Sequence, residues 1–198
     1  MKKRIIELYP QQDISKLDWQ NIKNASVDGV MIPIGSSDYY GRINVNDYAK
    51  SCIEAAGECG LAVGVMADIC CKDAFSAHEA AYNTVEIIKE FKSIIKLGIA
   101  YGFFEKKRSC LIEQGTDGLT DTALALLFET QRLGYRGIIH TDFSFADTYM
   151  DIERIKGRRF WGDPHWKWDS KLFIKCITET DEDYISELSC FGQNVLGE

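Results

Sequence analysis

The 198-residue sequence predicts an α/β protein with a mainly parallel sheet, on three observations. Apolar runs of strand length recur along the whole chain. Segments with helical spacing of apolar residues lie between them. No Pro/Gly/Ser-rich linker or shift in composition divides the chain, so residues 1–198 read as a single domain.

The first strand is Ile5-Ile6, ending on Glu7, and a polar loop from Pro10 to Asp13 follows. Asp18 is placed to cap a short helix, "WQNIKNA". "GVMIPIG", Gly29 to Gly35, is the second strand, although Pro33 would cost a central strand one ladder hydrogen bond. "SSDYYGRINVND" reads as a loop, and a helix from Val45 to Cys59 stops at Gly60. "LAVGVMAD" is a strand ending on Asp68. "SAHE", Ser76 to Glu79, has the form of a capping box opening a helix that keeps its spacing to Ile95. "LGIAYGFFEKK" is a strand that ends on Glu105. A helix with Leu124, Leu127, Phe128 and Gln131 in step stops at Gly134, and "GIIHTD" is a strand ending on Asp142. "SFADTYMDIERIKG" reads as one helix, "RRFWGD" as a short strand ending on Asp163, and "LFIKCIT", Leu172 to Thr178, as the last strand. An open doubly wound sheet and a closed barrel both fit this order.

Composition narrows the function. A net charge of −7 argues against a nucleic-acid surface, which needs clustered Lys and Arg. No apolar run approaches the roughly 20 residues of a membrane helix. The start "MKKRIIELYPQQD" has no signal-peptide core, so the expectation is a protein cytoplasmic as synthesised. Seven cysteines, an odd count, then suggest reduced thiols, with buried ones serving as small hydrophobes. There is no C-x-x-C pair, and His78 beyond Cys70-Cys71 lacks a third and fourth partner, so no metal or other cofactor is expected. Neither the dinucleotide-binding glycine fingerprint nor a P-loop is present.

One pattern recurs. Glu7, Asp68, Glu105, Asp142 and Asp163 each stand at the C-terminal end of an expected strand. In a parallel barrel these ends meet at one mouth, where catalytic groups sit. Carboxylates crowded there would raise one another's pKa, and a carboxyl kept protonated can act as a general acid. The plain alternative is that strand ends simply emerge into water.

Four segments, in order, resemble glycoside hydrolase family 25, the lysozyme-like N-acetylmuramidases: Leu17-Asp18-Trp19, Val27-Asp28-Gly29-Val30, Gly60-Leu61-Ala62-Val63-Gly64-Val65 and Gly134-Tyr135-Arg136-Gly137-Ile138. The resemblance implies a flattened, irregular TIM-like (β/α) barrel. It also implies cleavage of the β-1,4 bond between N-acetylmuramic acid and N-acetylglucosamine in peptidoglycan, as in a phage lysin. By the family pattern the first-strand Asp falls on Glu7 and the Asp-x-Glu pair on Phe103-Phe104-Glu105. Glu105 is then the general acid without its Asp partner, and a C-terminal Asp falls on Glu187. Phe103 should point with Glu105 into the cleft, since residues two apart on a strand share a face. Where the substrate's own N-acetyl group attacks, Glu7, Asp68 or Asp163 would orient it.

The segment "RRFWGDPHWKWD" offers Phe160, Trp161, Trp166 and Trp168 as a stacking platform for sugar rings, with Tyr39 and Tyr40 on the opposite rim. For His140 and His165 a structural or hydrogen-bonding role outweighs a catalytic one, and "TDEDYISE" reads as a solvated charge run. Three readings remain: a muramidase with Glu105 and Glu7, a degenerate relative that binds glycan or a protein partner, and an unrelated acidic-mouthed barrel using a cation among Asp68, Asp142 and Asp163.

Overall fold

The structure, a computed structural model, describes residues 3–8, 17–103, 108–156, 158–161 and 184–187. Its sheet contains β1 (Lys3–Glu7), β2 (Gly29–Ser37), β3 (Ile43–Val45), β4 (Ala62–Asp68), β5 (Ile95–Phe103), β6 (Gly137–Thr141), β7 (Phe160–Trp161) and β8 (Tyr184–Glu187). The strand order is β7-β6-β5-β4-β2-β1-β8, parallel throughout, with β3 added antiparallel to the end of β2.

That order decides between the two parallel architectures. From β1 to β7 each new parallel strand is laid down on the same side of the last. Right-handed crossovers that never reverse direction put all their helices on one face of the sheet. A doubly wound sheet needs a reversal, and there is none from β1 to β7. The sheet therefore curls into a (β/α) half-barrel, with β7 and β8 at the two ends of the order.

The burial pattern has the two faces this requires. Ile6, Val30, Ile32, Val63, Val65, Ile99, Tyr101, Phe103 and Ile139 pack outward into one large core with the helices. A second, smaller cluster of Ile5, Met31, Met66, Leu97, Ala100 and Ile138 fills the inside of the curl. Leu97 and Ile99 are two residues apart yet lie on opposite faces. The register slips between Val63 and Gly64, opposite Ile95 and Gly98, and Gly98 takes a φ of 115° there. A side chain at Gly98 would also meet the Arg136 carbonyl at 2.6 Å, so the bulge needs glycine on two counts.

Pro33 does sit in a central strand, and costs it no ladder bond among the described residues. The Met31 carbonyl accepts from the Leu8 amide, so the alternation of the strand turns Pro33 toward β1 as well. The described pairing with β1 stops at Met31, and the Pro33 carbonyl takes a hydrogen bond from the Asn46 side chain.

The helices are α1 (Trp19–Asn24), α2 (Ala49–Glu58), α3 (Ala74–Ile88), α4 (Arg108–Ile112), α5 (Gly115–Arg132), α6 (Phe143–Tyr149) and α7 (Ile152–Ile155). Asp18 caps α1 as its sequence suggests. Several boundaries differ from the sequence reading. The helix expected from Val45 begins at Ala49, because Ile43–Val45 forms β3. The Asp38 carboxylate accepts the Tyr40 and Arg42 amides and Gly41 adopts φ 87°, which folds the supposed loop into a hairpin. The capping box of α3 is Asp73 with Ser76, three residues earlier than "SAHE". That helix ends at Ile88 and a 3-10 turn, leaving Ile95 to β5.

On α5 the buried stripe is Leu119, Ala123, Leu126, Leu127 and Thr130, while Phe128 is half exposed beneath the Arg158 guanidinium. The single helix expected after β6 is two, split where Asp151 caps α7. Tyr184–Glu187, read as a charge run, is β8 against β1. The strand expected at Leu172 to Thr178 lies outside the described residues.

Candidate functional site at the barrel mouth

Alternation along each strand assigns the inner face of the mouth. On β1, Ile5 points inward, so Glu7 does too; on β4 the pair is Met66 and Asp68, and on β6 it is Ile138 and His140. Register then sets Asp68 beside Gly102, Gly102 beside His140 and His140 beside Trp161 in one row across β4 to β7. The five-strand path from β6 to β1 would separate Glu7 and His140 by about 19 Å in a flat sheet, at about 4.8 Å per step. The curl closes that gap: His140 Nε2 lies 3.4 Å from Glu7 Oε2, and both side chains are buried. Burial holds the His140 imidazole neutral, with its pKa lowered to about 3.

The expected site residues divide into three groups. Glu7, Asp68 and Asp142 stand at the ends of β1, β4 and β6 as anticipated. The Asp142 carboxylate is engaged in capping α6, accepting from the Phe145 amide and the Ser144 hydroxyl. Tyr39 and Tyr40 lie exposed on the β2–β3 hairpin at the mouth rim, edge to face with centroids 5.7 Å apart, and the Lys72 ammonium sits 4.9 Å from the Tyr40 ring centre. Trp161 is placed by its backbone beside His140. Glu105, Asp163, His165, Trp166 and Trp168 lie outside the described residues. Glu187 stands next to Ile6 in the register of β8.

One expectation is overturned. Phe103 does not face the cleft; it is completely buried on the outer side of β5 with Ile99 and Tyr101, and its carbonyl accepts from Thr141 Oγ1. The reason is parity: the inward positions near the end of β5 are Ala100 and Gly102. Phe103 therefore neither blocks the mouth nor desolvates a carboxyl there. His140 is what the sequence reading passed over as a site residue. Its signal was the same parity, since it lies two residues before Asp142 on a strand whose end opens at the mouth.

The cysteines also correct an expectation. Cys70, just past β4, is bonded to Cys110 on α4, with Cα atoms 6.0 Å apart, inside the range a disulfide spans. Both lie at the mouth end of the barrel, where Ser37 Oγ accepts the Cys70 amide and the Gln114 side chain donates to the carbonyls of Cys71 and Cys110. Cys52 and Cys71 are buried thiols, as expected, and burial pushes Cys71 up to about 11. His78 pairs with Glu129 at 3.6 Å, and among the described residues no three His, Cys, Asp or Glu side chains are grouped to hold a metal ion.

No family model matches the chain, and no curated protein matches it at a significant level. Solved structures do. The modular autolysin LytC of Streptococcus pneumoniae superposes with a TM-score of 0.68 at 19% identity, over 85% of this chain and 40% of that one. The CTP1L endolysin gives 0.70 at 16% identity, over 100% of this chain and 64% of that one. GHIP, a glycosyl hydrolase 25 of Streptococcus pneumoniae, gives 0.67 at 17% identity, over 99% and 83%. LytC has also been solved with a synthetic peptidoglycan ligand. This chain thus spans less than half of LytC, and its fold is the one found in glycoside hydrolase family 25 lysozymes.

Proposed function

We propose, on the premise of that shared fold, that the chain is a divergent lysozyme-like glycoside hydrolase. Its substrate is peptidoglycan, and the bond cleaved is the β-1,4 link between N-acetylmuramic acid and N-acetylglucosamine. The observation that carries this reading is Glu7: a buried carboxylate at the end of the first strand, facing into the barrel mouth against His140. Glycoside cleavage uses two carboxyl groups. In this reading Glu105, assigned by the family resemblance, protonates the leaving glycosidic oxygen. Glu7 is the ionised partner, and water supplies the hydroxyl that ends on the anomeric carbon. Asp68 and the exposed Tyr39 contribute to holding the glycan, with Trp161, Trp166 and Asp163 assigned to the opposite rim.

A second reading rests on β5. Ala100 and Gly102 occupy its inward positions, so the described part of that strand offers the mouth no carboxylate. A relative that binds glycan without cleaving it would look the same there.

Mass spectrometry of peptidoglycan digests separates the two. Wild-type protein should release muropeptides with new reducing ends, and Glu105→Gln and Glu7→Gln should each lower the rate by about 10²–10⁴-fold. Wild type that co-sediments with walls yet yields no products across pH would leave the binding role as the account.

A further inference from the structure

The Glu7–His140 contact joins two strands that the sheet order keeps apart, and it crosses the inside of the mouth. We propose that His140 is the positioning residue of Glu7: its Nε2–H points at Oε2 and so keeps Glu7 the ionised carboxylate of the site, aimed into the mouth. The assignment of Glu7 to glycan chemistry rests on the proposed hydrolase function, whereas the 3.4 Å contact between Nε2 and Oε2 stands without it.

Two tautomers are open to a neutral imidazole, and they have opposite consequences. With the proton on Nε2, the ring donates to Glu7 and favours its anion. With the proton on Nδ1, the Nε2 lone pair faces Oε2, and only a protonated Glu7 can make the bond. Two further carboxylates stand at the mouth, Asp68 on β4 and Asp142 past the end of β6, with the Lys72 ammonium out at the rim. A buried carboxyl among like charges tends to stay protonated. A donor from β6 opposes that tendency, and His140 is placed to be one. Rigid strands on both sides hold the pair, so the imidazole fixes the direction of the carboxylate as well as its charge.

The test needs no substrate. Nitrogen-15 NMR of the full chain reports the protonation of each ring nitrogen of His140, and carbon-13 NMR follows the Glu7 carboxyl through its titration. Nε2 should be protonated across pH 5–8. His140→Leu, which removes the donor, should move the Glu7 midpoint up by at least one pH unit, a tenfold change in its ionisation constant. His140→Gln, which restores an N–H donor, should return it toward wild type. An Nε2 lone pair facing Glu7, or a Glu7 midpoint that does not differ between Leu and Gln variants, overturns the proposal. Should His140→Leu fail to fold, the wild-type tautomer and the Gln variant still decide it. Absence of muropeptide release alongside a protonated Nε2 would reject the hydrolase reading and leave the positioning role standing.

Discussion

Below pH 6.5 an unfolded chain lets His140 take up a proton that the folded chain refuses, because burial lowers the imidazole pKa to about 3. The sign follows from linkage. The folded pKa lies below the unfolded one, so protonation favours unfolding. The contribution is fully present above about pH 6.5 and is lost as pH falls toward 3, at up to about 1.4 kcal/mol per pH unit. Urea denaturation of wild type and His140→Gln from pH 7 to 4 measures it. Wild type should lose stability faster, with the two curves converging in slope above pH 6.5; parallel curves throughout would mean the imidazole titrates normally. At this scale the sequence was partly readable. Glu7, Asp68 and Asp142 were found because a strand end is visible in sequence, whereas His140 and Phe103 needed the facing of β5 and β6. The bulge at Gly98 changes the parity of β5, and no composition rule announces where such a slip falls.

Helix α3 carries its own start signal. The Ser76 hydroxyl receives the Asp73 amide, and the Asp73 carboxylate accepts the Ser76 amide, the largest cause holding the Asp73 pKa below the usual carboxylate range. Asp73→Ala should cost about 0.5–2 kcal/mol in urea unfolding, with Asp73→Asn close to wild type. An unchanged midpoint in the alanine variant would show that packing of α3 against α5, rather than the cap, fixes this end. Most strands and helices could be read from the periodicity of their apolar residues. Those missed were short or depended on a distant partner. Ile43–Val45 exists because Asp38 folds a turn, and Tyr184–Glu187 is a strand only because β1 lies beside it. A four-residue segment rich in charge around it has no periodicity to detect.

For the whole molecule, the direction of winding makes the mouth. Because each parallel strand from β1 to β7 advances on the same side, the strand ends that carry Glu7, Asp68 and Asp142 come round to a common opening. The Cys70–Cys110 bond then ties the segment after β4 to the helix after β5 at that opening. Bridging a separation of 40 residues should stabilise the fold by about 4 kcal/mol if the entropy of the unfolded chain dominates. Thermal melts with and without a dithiol reductant should differ by roughly 8–16 °C, and Cys110→Ala should melt with the reduced form. Identical melts would remove the cross-link as a source of stability. Such a pairing was closed to sequence reasoning, since seven cysteines carry no record of which two the fold brings together.

The position of β1 between β2 and β8 also fixes a timetable. Its first neighbour, Gly29–Ser37, is synthesised soon after it, but its second, Tyr184–Glu187, is the last of the described strands to be made. At roughly 5–20 residues per second, the interval between Glu7 and Tyr184 is about 9–35 s. For that time the strand bearing Glu7 has one edge without its permanent partner. The opening that Glu7 faces is completed only after Tyr184–Glu187 has been made.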